Sequence, residues 1–188
     1  MTMRPGFPVV LILIAGLLQG CASAPGAREG AKPMPERGVN EAYRDDQKIE
    51  ARAIDSIYGQ FRIFMHVNVA SFNRNVLISG EVPDETTMNA IEKIVSGIEG
   101  VRHVYNELVI SPSSSLITRS NDSRITSSVR FRLARDKRAN SGDIKVVTEN
   151  GTVFLMGNVK RAEADAAADI ASTTGGSKLV VKLFEYTD

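Results

Sequence analysis

Apolar and polar positions follow different periods along this chain, and each change of period marks an element. Residues 9–18 are an unbroken apolar run of ten. Further on, Ile49, Ala53 and Ile57 recur every four residues, the spacing of one helix face. His66 to Phe72 and Val76 to Val82 are strand-like runs separated by Asn73-Arg74-Asn75, a turn-forming sequence. Asp84 is placed to cap a helix whose apolar face holds Met88, Ile91, Ile94, Val95 and Ile98. Val101, Val104, Leu108 and Ile110 predict a closing strand.

The same order then returns. Ile125, Val129 and Leu133 mark a helix face after Asn121-Asp122-Ser123. Asp143 to Glu149 and Val153 to Val159 flank Asn150-Gly151, a strong hairpin signal because both turn positions accept positive φ. The next helix has a narrow alanine-rich face, Ala162, Ala166, Ala167, Ile170 and Ala171, which predicts close approach to its sheet. Leu179, Val181, Leu183 and Tyr186 belong to the last strand. Each unit reads α-β-β-α-β, with expected boundaries 45–110 and 121–187 and a serine-rich linker at 111–120. A unit of about 65 to 70 residues is small but sufficient for a domain. Gly80 and Gly157 interrupt equivalent strands, where they allow close helix approach or a strand bend.

The first copy ends in Gly100-Val101, Val104, Asn106 and Leu108, which resembles the closing motif Gly-Val-x-x-Val-x-Asn-x-Leu of the BON domain. The second copy departs from it. Gly175-Gly176 stands for Gly-Val, Val181 replaces Asn, and the shorter Gly157-to-Gly175 interval predicts a helix two residues shorter. Thr148 to Gly157 and Ala166 to Ser172 are similar to stretches of dual-BON outer-membrane lipoproteins. The resemblance implies an α+β fold of two BON domains, each with helices packed on a three-stranded mixed sheet.

The first residues read as an address. Ten apolar residues are too few to span a bilayer but suit a secretory signal. Leu18-Gln19-Gly20-Cys21 resembles the bacterial lipoprotein processing box, with the Cys21 thiolate as the atom that takes the lipid. The alternative is ordinary cleavage after Ala22-Ser23-Ala24, which Pro25 disfavours. Residues 1–20 are therefore expected to be a signal peptide and 21–44 a flexible tether. Ala22 after the cysteine favours the outer membrane, facing the periplasm.

Composition removes other classes. Lys+Arg is 23 and Asp+Glu 22, so the strong basic excess of a dedicated nucleic-acid binder is missing. One cysteine and two histidines leave no disulfide framework and little for a metal site. His66 and His103 have no spaced partner and read as surface or half-buried side chains. Asp45-Asp46 and Asp84-Glu85 suit helix starts. No catalytic constellation is present, so neither an enzyme nor a cofactor is expected.

Charge is divided unevenly. Residues 21–113 hold 10 basic and 13 acidic residues, and residues 114–188 hold 12 and 9. Arg119, Arg124, Arg130, Arg132, Arg135, Lys137 and Arg138 crowd one helix and its flanks. Phe131 falls well off the Ile125-Val129-Leu133 stripe, beside Arg124, Arg135 and Arg138. An aromatic ring among outward arginines suits a membrane surface; a ring folded under its own helix or onto the other domain is the alternative. The family resemblance implies the first. It places an anionic-phospholipid contact, with phosphatidylglycerol or cardiolipin, on this helix, here Arg124, Ser127, Phe131, Arg135 and Arg138. The tryptophan expected after the cap is Arg124 here and an expected exposed leucine is Ala134, which leaves Phe131 as the replacement anchor. The resemblance further implies roles in envelope integrity, at the division site and in outer-membrane protein assembly. The alternative is an adaptor docking an acidic partner in the outer-membrane assembly machinery or among amidase regulators.

Overall fold

The computed structural model describes residues 41–61 and 65–188. Cys21, the signal peptide and most of the expected tether lie outside the described residues. The first unit contains α1 (Glu41–Gln60), β1 (His66–Phe72), β2 (Asn75–Val82), α2 (Glu85–Ser96) and β3 (His103–Ile110). The second contains α3 (Leu116–Arg135), a short 3-10 turn (Ser141–Asp143), β4 (Ile144–Glu149), β5 (Thr152–Val159), α4 (Arg161–Ser172) and β6 (Leu179–Tyr186). Each sheet has its hairpin pair antiparallel and its last strand added in parallel, in the orders β1-β2-β3 and β4-β5-β6. This is the expected α+β fold with a three-stranded mixed sheet in each copy.

Alternation of side chains sends one face of each sheet to its own helices. In the first copy Val67, Val76, Ile78, Val82 and Leu108 meet Ile49, Ala53, Ile57, Ile91 and Val95. In the second, Val146, Val153, Leu155 and Phe184 meet Ile125, Val129, Leu133 and the alanines of α4. The opposite faces meet each other. Ala70 and Leu77 from one sheet pack with Phe154, Met156 and Leu183 from the other, so the domains join sheet to sheet with helices outside. Both faces of β2 are therefore buried along its whole length.

Several sequence expectations shift. The helix pair α1 and α3 starts earlier than predicted: residues 41–44 of the expected tether and 116–120 of the expected linker are helical. Asp45 and Asp46 consequently lie more than a turn inside α1 and not at its start. Asp84 does cap α2, accepting from Thr87 N–H at 2.7 Å. α2 and α4 are both 12 residues long, so the second is not shorter. The residue missing between the copies lies before the helix, where Lys160 alone stands for Pro83-Asp84. Gly176, with φ +96°, matches Gly100 at +92°. That shift makes Lys182, and not Val181, the counterpart of Asn106. Their registers agree, Asn106 opposite Ile78 and Lys182 opposite Leu155. Each ties its strand to the preceding helix, Asn106 to Glu92 at 2.7 Å and Lys182 to Asp165 at 3.1 Å. On α4, Ala166, Ala167, Ile170 and Ala171 are buried as expected, but Ala162 is exposed and Ala164 takes its place. Ile110, Leu179 and Tyr186, at strand ends, are exposed.

The strand glycines meet backbone and not a helix. A Cβ on Gly80 would stand 2.0 Å from the carbonyl oxygen of His66, and one on Gly157 would stand 2.4 Å from that of Asp143. In both copies the oxygen belongs to the residue just before the cross-strand partner, Val67 or Ile144.

Candidate functional site

The outward face of α3 is the best-defined candidate surface. Ser115 caps the helix by accepting from Thr118 N–H at 3.1 Å. Ile125, Val129 and Leu133 are buried, which fixes the rotation of the helix. Phe131 then points away from the core and is 61% exposed. Arg135 lies over its ring at 5.1 Å, an interaction that holds cation and ring side by side in the surface. Arg124 is exposed on the same side. Ser127 is exposed too, but its hydroxyl donates to the Ser123 carbonyl at 2.9 Å and so is committed to its own helix.

Not all the basic residues share that surface. Arg132 turns inward and caps α4, donating to Ile170 O at 2.7 Å and to Thr174 Oγ1 at 2.6 Å. Arg138 lies past the helix end and pairs with Asp136 at 2.8 Å and Asp169 at 3.3 Å. That hydrogen-bonded guanidinium holds Asp136 down to about 2. Arg124 and Arg135 remain exposed on the side of Phe131.

Two residues of this face were read as linker. Leu116 and Ile117 are each 76% exposed on the first turn of α3. Ile117, Arg124 and Phe131 are seven residues apart, which places them near one line along the helix, about 10 Å per step. The visible signal was the apolar pair itself, followed at heptad spacing by the arginine and phenylalanine.

A cleft opens on the flank of the same helix, between α3 and strands β1 and β4, with a volume of about 500 Å³. His66 lines it half-buried, with Nε2 at 3.6 Å from Glu149 Oε1 and Nδ1 at 3.5 Å from Arg119. Burial, then the Arg119 charge, lowers its pKa. Burial pushes the Glu149 carboxyl up to about 7, against the hydrogen bond it accepts from Asn68 at 2.6 Å. Asp122, buried beside it, accepts from the N–H groups of Asn150 at 3.0 Å and Gly151 at 2.8 Å. Asp46 does the same for the first hairpin, accepting from Asn73 N–H at 2.8 Å, Arg74 N–H at 2.7 Å and Ser71 Oγ at 2.6 Å. These aspartates are structural, and each precedes the first buried isoleucine of its copy by three residues. His103 is exposed and meets Tyr105 edge-on at 4.4 Å. Among the described residues no group of three His, Cys, Asp or Glu could hold a metal ion, and no helix is long and apolar enough to cross a membrane.

Duplicated α-β-β-α-β units with matching glycines and matching aspartates define the class: the chain belongs to the BON-domain family, whose profile matches residues 45–112 and 121–188. Over its full length it is a dual-BON, DolP-like chain. It is 37% identical to the outer membrane lipoprotein DolP of Haemophilus influenzae, across 100% of both proteins. It is also similar to the 21 kDa hemolysin of Actinobacillus pleuropneumoniae, 32% identical over 82% of this chain and 80% of that one. The osmotically-inducible protein Y of Escherichia coli is 27% identical over 81% and 79%.

Proposed function

We propose that this chain is a non-catalytic lipoprotein of the outer membrane, facing the periplasm, whose second BON domain binds anionic phospholipid through the outward face of α3. The exposure of Phe131 beneath Arg135, with Arg124 and Ile117 on the same side, carries the reading. Such a ring enters the boundary between head groups and acyl chains while the guanidiniums meet phosphates. The likeness to an outer membrane lipoprotein supports the location. Cys21 is the proposed lipid attachment, and envelope integrity, division-site localisation and outer-membrane protein assembly are the proposed outputs.

Flotation of unacylated residues 22–188 with vesicles tests this. The body should float with phosphatidylglycerol or cardiolipin vesicles and not with phosphatidylcholine alone, and added salt should weaken it. Phe131→Ser should reduce partitioning roughly tenfold, the effect of losing one buried aromatic side chain. Absence of flotation on anionic vesicles overturns the reading and leaves an acidic protein partner as the occupant of the face. In intact cells a fatty-acid label should appear on the chain and vanish with Cys21→Ser.

A further inference from the structure

At one rim of the seam the two domains meet through ionisable groups. His66 comes from the first domain, half-buried, and Glu149 from the second, buried. Glu81 and Asp122, also buried, lie around them together with Arg119. Glu81 accepts from the Asn150 side-chain amide and from Ser114 N–H at 3.0 Å. Asp122 accepts from the N–H groups of Asn150 and Gly151. Both act as acceptors only, as carboxylates do. Arg130, further along the cleft, reaches the Val146 carbonyl, and Tyr58 of α1 is taken up by the Val67 backbone.

The contacts of the ring decide its proton. Nδ1 faces the Arg119 guanidinium at 3.5 Å, a group that can only donate. Nε2 faces the Asn68 amide nitrogen at 3.2 Å and Glu149 Oε1 at 3.6 Å. A charged ring would aim an Nδ1–H at a cation. The docked ring is therefore neutral, with Nδ1 accepting and the single N–H on Nε2. The 3.6 Å separation also exceeds the roughly 2.7–2.9 Å of a charge-assisted bond, and a desolvated ion pair at loose geometry costs more than it returns. Glu149 then stands beside two buried carboxylates and one guanidinium. A proton on it leaves one net negative charge in the cluster instead of two. Burial and the Arg119 charge lower the His66 pKa, and burial pushes Glu149 up to about 7, in keeping with that arrangement.

With the domains apart, water reaches both groups, and they return to ordinary values of 6.5 and 4.5. Between those values the pair holds one proton, on the ring nitrogen. Docked, it also holds one, on the carboxyl oxygen. We propose that closing the seam moves a proton from His66 to Glu149 by way of solvent, so that the union of the domains neither takes up nor releases a proton in mildly acidic solution. An N–H bond is lost, an O–H bond forms, and one positive and one negative charge vanish together. Above 6.5 the separated ring has no proton to give. Docking then draws it from water, and the union weakens as pH rises until the docked Glu149 ionises near 7. Either residue alone would make docking sensitive to pH at lower values too; together they cancel. Nothing in this exchange depends on the outward face of α3.

Urea unfolding of unacylated residues 22–188 between pH 4.5 and 6.5 tests the cancellation, with the double variant His66→Gln plus Glu149→Gln as the baseline for all other titrations. Relative to it, the wild type should be flat. His66→Gln should lose stability as pH rises and Glu149→Gln should gain it, each by no more than about tenfold in the unfolding constant per pH unit. Ring nitrogen chemical shifts at pH 6 should show a neutral His66 with its proton on Nε2. In Phe154→Ser, which cuts into the apolar seam, the same ring should be mostly charged. Slopes of one sign in the two single variants, or a wild-type slope equal to that of a single variant, overturn the proposal. So does an imidazolium in the wild type at pH 6, a reading that needs no variant at position 66 or 149 to fold.

Discussion

Asp46 and Asp122 show how a single carboxylate can hold a supersecondary unit. Each sits inside a helix, buried, and takes two successive N–H groups of the hairpin that follows. The first hairpin needs this because Asn73 and Arg74 both adopt positive φ without a glycine, a conformation that costs about 1 kcal/mol or more per residue. Asp46→Ala and Asp122→Ala should each lower stability by about 3 kcal/mol, seen as a lower urea midpoint with unchanged slope. The residue type was plain in the sequence, but a helix-start aspartate and a hairpin-holding one look alike until the helix boundary is known. Glu149 carries a different prediction. Its folded pKa of about 7 lies above the ordinary 4.5, so the folded state holds the proton more tightly. Its contribution to stability is greatest below about 4.5, falls as pH rises toward about 7, and is flat above, at up to about 1.4 kcal/mol per pH unit. His66, with a pKa lowered by burial, acts oppositely below its ordinary 6.5. The difference in melting temperature between wild type and Glu149→Gln against pH isolates the carboxyl: the variant should lose the decline.

At the scale of elements, apolar runs between turn signals marked the strands, and burial periodicity marked the helices. It misplaced the ends of α1 and α3, because the first turns carry residues that face solvent. Leu116 and Ile117 follow a serine-rich run and are each 76% exposed, so no core period announces them. Ile117→Ser should leave the thermal midpoint unchanged yet weaken flotation on anionic vesicles, a combination that a packing role would not produce. The alanine face of α4 was legible as a close contact, but its phase was off by two residues at the start. Ala167 is fully buried against the second-domain core, whereas Ala162 is exposed. Ala167→Leu should cost about 1–3 kcal/mol through overpacking, and Ala162→Leu should be nearly neutral in the same denaturation assay. The lysine that replaces the motif asparagine could not be aligned from sequence, because the length difference lies in a joint where neither copy has a marker.

At the scale of the whole molecule, two domains were visible in the repeat, but their union was not. Val76-Leu77-Ile78 and Val153-Phe154-Leu155-Met156 are apolar on both faces, the pattern of strands covered twice. One cover was assigned to helices; the second is the other sheet. Around that apolar seam Asn73 reaches Glu185 at 2.9 Å, Arg102 pairs with Glu185 at 3.1 Å, and Lys145 pairs with Glu50. Phe154→Ser should loosen the seam while each domain keeps its own core, seen as faster proteolytic cutting between residues 111 and 115. That segment is short, and one of its few ties is Ser114 N–H to Glu81 at 3.0 Å. If the seam does the holding, the covalent connection serves mainly to keep the halves at high local concentration. A chain opened at Ser113 would then behave as a two-piece assembly, its fragments finding each other after mixing as an enzyme's split reporter halves do.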